Sequence, residues 1–160
     1  MELNWKRWKP YVIALLLTEG VGGLSGFLIR DGIKRYTAEV QKPPLSPPPL
    51  VFPIVWAVLY ALMAIGVTRV WLTPDSRSRT AGLRLFVIQL AFNFGWSLIF
   101  FNLQRYGFAF FWLAALWGLI VWMTLTFYET DRPAALMQIP YLLWVLFAGY
   151  LNLGVWNLNQ

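Results

Sequence analysis

Five long apolar runs, each bounded by charged or proline-rich punctuation, set the pattern of this chain. They cover about residues 11–29, 53–72, 81–101, 107–128 and 134–157. At 1.5 Å of rise per residue, each run is about long enough as a helix to cross a hydrocarbon layer of roughly 30 Å. Lipid offers no partner to a free backbone N–H or C=O, so the pattern predicts an all-α integral membrane bundle of five transmembrane helices. At this length, residues 1–160 read as a single domain. The first run follows Lys6, Arg7 and Lys9 interleaved with Trp5 and Trp8, a basic and aromatic flank suited to the membrane interface. Its centre has no small-residue cleavage site, so it reads as a span rather than a secretory leader.

Within the runs, polar and aromatic positions fall on defined faces. Helix 1 holds Glu19, the only carboxylate well inside any span, next to a small-residue side with Gly22 and Gly26 in G-x-x-x-G spacing, which permits close helix approach. A carboxylate at that depth must be protonated, paired or wet, which leaves two readings: a hydrogen bond to a neighbouring helix, or a ligand or proton contact. In helix 2, Trp56, Tyr60, Met63 and Val67 share one face. Gln89, Asn93 and Ser97 recur every four residues in helix 3 and should face the bundle interior, either tying helices together or orienting a polar ligand edge. Helix 4 carries aromatics all round and no charge, which fits bundle filling or lipid contact. In helix 5, Tyr141, Trp144, Ala148 and Asn152 share a face.

The connection from Arg30 to Ser46 is long, and Pro43, Pro44, Pro47, Pro48, Pro49 and Pro53 stiffen its end, because each proline removes a backbone donor and restricts φ. It reads as a solvated connector or as a functional loop. With 59% hydrophobic and 12% charged residues, the composition is that of a membrane protein. The absence of Cys and His removes disulfides, thiolate chemistry and the commonest metal ligand and general base, so no metal and no cofactor is expected. The net charge of +6 does not point to nucleic acid, because the basic residues sit at helix ends. Lys6, Arg7, Lys9, Arg69, Arg77, Arg79, Arg84 and Arg132 fall on the N-terminal side, against Arg30, Lys34, Arg35, Lys42 and Arg105 on the other. That excess predicts a cytoplasmic N-terminus if the membrane is a bacterial inner membrane.

The string from Lys42 through Pro47, Pro48, Val51, Phe52, Trp56, Leu59, Tyr60 and Met63 to Gly66 resembles the TspO/MBR family, the tryptophan-rich sensory and translocator proteins. Residues 90–101 are similar to its third helix and residues 140–159 to its last, so the resemblance covers nearly the whole chain. It implies a receptor or carrier for porphyrins and related flat tetrapyrroles, with a pocket among the helices under the first loop. The residues expected to contact the ligand are Trp56, Tyr60, Asn93, Ser97, Tyr141, Trp144, Ala148 and Asn152, and those expected to form the pocket lid are Tyr36, Lys42, Pro43, Pro47 and Pro48. Flat π-systems match aromatic walls with a few polar groups. For every tryptophan, however, packing or interfacial anchoring is the competing role. The resemblance also implies an alternative, an enzyme that breaks down protoporphyrin in light and oxygen through Trp56 and Trp144. Sterol or drug-like ligands are a further alternative, although no Lys or Arg follows Tyr150 to complete the family's sterol motif, and Leu125, Tyr128 and Arg132 match only a weak sterol pattern. A homodimer is implied as well. Ala91, Gly95 and Leu98 form a smaller face of helix 3, and the expected seam is helix 3 against helix 3 of a second copy.

Overall fold

A computed structural model describes residues 4–160; residues 1–3 of the expected single domain lie outside the described residues. Among the described residues, seven α-helices follow in order: α1 (Trp5–Leu28), α2 (Arg30–Glu39), α3 (Val51–Trp71), α4 (Arg77–Ser97), α5 (Tyr106–Thr130), α6 (Arg132–Leu136) and α7 (Ile139–Leu158). A π-helical turn, Leu98–Asn102, closes α4. Five stretches of the described residues are long and apolar enough to cross a membrane, namely α1, α3, α4 with its π turn, α5, and α6 joined to α7. The chain is an all-α integral membrane bundle, as its apolar runs predict.

The boundaries have local causes. Helix α1 starts at Trp5, so Lys6, Arg7 and Lys9 lie within it; Pro10 lies inside the helix, where it has no N–H to offer the Lys6 carbonyl. Ser76 caps α4 by accepting from the Arg79 N–H at 3.0 Å. Helix 5 of the sequence divides in two. Pro140 has no N–H to offer Leu136, so the chain pauses at Met137 and Gln138 and restarts as α7 with Pro140 in its first turn. Asp131 caps α6 through the Ala134 N–H at 3.0 Å, and its carboxylate also receives two hydrogen bonds from Arg69 of α3, at 2.7 and 3.1 Å.

The expected loop from Arg30 to Ser46 is largely helical. Helix α2 follows α1 after a bend at Ile29, whose N–H donates to Ser25 O and whose carbonyl accepts from Ile33, so hydrogen bonding is nearly continuous through the corner. Only the following proline segment is extended or turned.

Helix α5 packs against both α4 and α7, while α3 lies between α1 and α4. Fully buried Met63, Ile120, Met123, Phe127 and Val155 mark the core. The aromatics of α5 divide by direction: Phe127 is interior, whereas Phe108, Phe111 and Trp122 are exposed, as lipid-facing rings would be.

The small residues of α1 and α4 do not all serve the roles that their spacing suggests. A Cβ on Gly22 would meet the Tyr60 ring at 2.5 Å, so Gly22 permits close approach of α1 to α3; a Cβ on Gly26 would meet nothing within 4 Å. Gly95 is occupied within the protomer, since its Cβ would lie 2.9 Å from Trp112 of α5. The seam expected at Ala91, Gly95 and Leu98 therefore loses its central small residue to α5.

Candidate functional site

A cavity of about 770 Å³ opens at the end of the bundle where α1 and α4 finish and α3 begins. Its walls follow from the faces described above. Helix α3 contributes Phe52, Trp56 and Tyr60, α4 contributes Asn93, Trp96 and Ser97, α7 contributes Trp144 and Ala148, and α1 contributes Glu19 with the small residues Gly22, Gly23, Ser25 and Gly26. Aromatic surface thus faces a wall with little side-chain bulk, which leaves room for a broad ligand.

A buried polar chain supports the floor. The Tyr60 hydroxyl donates to Asn93 Oδ1 at 3.2 Å, Asn93 Nδ2 donates to the Tyr141 hydroxyl at 2.7 Å, and that hydroxyl donates to Gln89 Oε1 at 2.7 Å. Three helices are joined without leaving these groups unpaired in a lipid-like interior. Trp56 stands against this chain, its ring 5.7 Å from that of Tyr60 and 6.2 Å edge-on from that of Tyr141. Trp144 packs edge-on to Phe52 at 5.9 Å, closing the α3–α7 corner.

Helix α2 and the proline segment cover the mouth. Gly32 lies so close to the π turn that a Cβ would sit 2.6 Å from Phe101 O. Arg35 donates to Asn102 O at 3.2 Å, and Asn102 Nδ2 donates to Leu28 O at 3.0 Å. On the far side, Pro43 is buried against Gly154 of α7, and the Tyr150 hydroxyl donates to Pro44 O at 2.8 Å. Between these anchors Leu45 takes a left-handed φ of 68°, an uncommon conformation for a branched residue. Lys42 Nζ donates to Thr37 O and Val40 O and lies 4.9 Å from the Tyr36 ring centroid. Burial pushes the Tyr36 phenol above its ordinary pKa, so it stays neutral beneath that ammonium.

Six of the eight expected ligand contacts border one cavity: Trp56, Tyr60, Asn93, Ser97, Trp144 and Ala148. Tyr141 and Asn152 stand behind the wall. Tyr141 is sealed into the polar chain, and the Asn152 amide accepts from Trp96 Nε1 at 3.0 Å and donates to Tyr106 O at 2.8 Å. Of the expected lid, Tyr36, Lys42 and Pro47 reach the cavity, Pro43 anchors to α7, and Pro48 is exposed. Trp96, Phe101 and the glycine wall of α1 were not among the expected contacts. For Trp96 the signal was available, because it lies three residues after Asn93 and therefore on a neighbouring face.

Glu19 also borders the cavity. Among the described residues it has no ion-pair or hydrogen-bond partner, so the interhelical hydrogen bond considered for it is not formed.

The model of the TspO/MBR family matches residues 13–157. The tryptophan-rich protein TspO of Chlorobaculum tepidum is 38% identical over 148 residues, 92% of each chain. The translocator protein of Bos taurus is 34% identical over 155 residues, 96% of this chain and 92% of that one. Protein CrtK of Rhodobacter capsulatus is 37% identical over 138 residues, 86% of this chain and 85% of its own.

Proposed function

Because this chain belongs to the TspO/MBR family, we propose that it is a membrane receptor or carrier for a porphyrin or related flat tetrapyrrole, held in the cavity beneath α2 and the proline segment. The observation that carries this reading is the cavity itself: about 770 Å³, with Trp56, Tyr60 and Trp144 presenting ring surface and Asn93 and Ser97 presenting polar edges. Such a wall favours broad π-surfaces, and the polar groups set orientation. A sterol would gain less from indole and phenol rings. The name of the Bos taurus relative, translocator protein, accords with transport.

The test is protoporphyrin titration in nanodiscs, followed by porphyrin absorbance, with wild type, Trp56→Phe and Trp144→Phe. Each variant should weaken binding roughly two- to tenfold, the equivalent of about 0.5–1.5 kcal/mol for a lost aromatic contact. Unchanged affinity in both removes this pocket as the porphyrin site.

A second reading is favoured by one observation, that Trp56 and Trp144 border the same cavity. Light-driven oxidation of bound protoporphyrin by dioxygen, with these indoles as one-electron partners, would make the protein an enzyme. Porphyrin loss in light and air that falls in both Trp→Phe variants supports catalysis; the same rate without protein leaves binding alone.

We further propose a homodimer, which the family resemblance implies, and, for a bacterial inner membrane, a cytoplasmic N-terminus, on the charge excess of the N-terminal side. Crosslinking in membranes tests the dimer. Thiol labelling of Ser76→Cys from outside intact cells would overturn the orientation.

A further inference from the structure

Among the described residues, two charged side chains border the cavity, and they differ in what they already touch. Lys42, at the mouth, donates to two lid carbonyls and lies over the Tyr36 ring, so its charge is committed to holding the lid. Glu19, among the described residues, has neither a hydrogen bond nor an ion pair. Its position is defined by its neighbours on α1. The Thr18 hydroxyl donates to Tyr60 O at 3.0 Å, and Gly22 lies directly against the Tyr60 ring. These contacts clamp α1 onto α3 on either side of Glu19, whose side chain borders the same cavity as Tyr60. Glu19 is ten residues before the bend at Ile29, about 15 Å of helix rise inside the bundle.

The Tyr60 and Asn93 side chains of the floor are already engaged with other groups. The Tyr60 hydroxyl is already donated to Asn93, whose Nδ2 is donated to Tyr141. An intramembrane carboxylate with no protein partner, bordering a cavity, is free to exchange water for a complementary group on a ligand that enters.

We propose that Glu19 makes the floor of this cavity a receptor for a protonated nitrogen carried on a flat apolar ligand. The aromatic wall holds the ring system, and the carboxylate pairs with an amine or ring N–H⁺ at its inner edge. The selectivity is for cationic over neutral ligands of equal shape. It rests on the reading of the cavity as a ligand site, which the following experiment tests separately.

The protein is placed in nanodiscs of zwitterionic phosphatidylcholine and titrated with two probes of similar outline: 9-aminoacridine, cationic near neutral pH, and acridine, neutral there. Wild type should bind 9-aminoacridine about ten- to a hundredfold more tightly than acridine, the range of a charge-assisted hydrogen bond. Glu19→Gln, which keeps the shape and removes the charge, should abolish that preference and leave acridine within about twofold. Glu19→Asp should keep part of the preference. Gly26→Trp, which fills open cavity space, should block both probes.

Equal affinity of wild type for the two probes overturns the proposal without any variant having to fold. Equal weakening of both probes by Glu19→Gln also overturns it, since it shows a structural role. In either case, blocking by Gly26→Trp leaves the ligand cavity standing. If neither probe binds wild type, or both still bind Gly26→Trp, the cavity reading fails and the proposal falls with it.

Discussion

Asn159, at the end of α7, grips the backbone of Gln41 with both ends of its amide: the Gln41 N–H donates to Oδ1 at 2.9 Å and Nδ2 donates to the Gln41 carbonyl at 2.8 Å. The contact spans 118 positions of sequence and ties the last turn of the bundle to the strap over the cavity mouth. Asn159→Ala removes both bonds. Exposed bonds of this kind contribute about 0.5–1.5 kcal/mol each, so ligand release should accelerate several-fold while the melting temperature changes little. Stopped-flow release of porphyrin checks it, and an unchanged rate would mean that this end of the strap does not gate exit.

The polar chain of the floor is unequal along its length. The Tyr141 hydroxyl serves Asn93 and Gln89, both at 2.7 Å, whereas the Tyr60 hydroxyl serves Asn93 alone at 3.2 Å and borders the cavity. Tyr141→Phe orphans two buried groups, at about 1–3 kcal/mol each; Tyr60→Phe orphans at most one, and its site is open to water. Thermal unfolding in detergent should show the larger loss for Tyr141→Phe. The reverse order would assign the stabilising role to Tyr60.

Gly22 and Gly26, one helical turn apart, should respond oppositely to the same change. Gly22→Ala drives a Cβ into the Tyr60 ring and should destabilise by about 1–3 kcal/mol through overpacking. Gly26→Ala meets open space and should be neutral or slightly stabilising, since Ala restricts the unfolded chain. Comparable losses in the two variants would show that α1 packs differently from this arrangement.

Arg69 and Asp131 tie α3 to the start of α6 and predict a specific acid sensitivity. Hydrogen bonds from the guanidinium hold the Asp131 carboxyl below its usual range; burial opposes them and the Ala134 N–H reinforces them. A depressed folded-state pKa contributes stability that is fully present above the unfolded value of about 3.9 and lost as pH falls through the folded value. Wild type should therefore lose melting temperature on acidification below about pH 4 more steeply than Asp131→Asn, which keeps a capping oxygen but does not titrate. Parallel pH profiles for the two proteins would contradict this.

Gly95→Leu separates two roles for one residue. Set against Trp112 within the protomer, it should lower stability whatever the oligomeric state. A variant that stays as stable as wild type but runs as a monomer would return Gly95 to a subunit seam.

Apolar length alone determined the five spans, because only a helix satisfies its own backbone across a bilayer. Spacing determined that Gln89, Asn93 and Ser97 point inward together, and that Trp56 and Tyr60 share a face with Met63. The resemblance carried by residues 42–66 and 140–159 brought in Trp144 and Ala148 and the idea of a covered pocket. What lay outside the sequence was which neighbour each face meets. Lipid is as apolar as a protein interior, so hydrophobicity along a membrane helix does not distinguish Gly95, buried against Trp112, from Gly26, which opens onto the cavity. That distinction depends on how the helices are rotated and crossed. The same limit hid Asn152, whose amide is consumed by Trp96 and Tyr106 from two other elements. It also hid α2, whose charged, weakly apolar residues read as loop and become helical against the π turn through Gly32 and Arg35. Glu19 was legible as an anomaly of position. Only the packing of Thr18 and Gly22 on Tyr60 decided that its side chain borders a cavity.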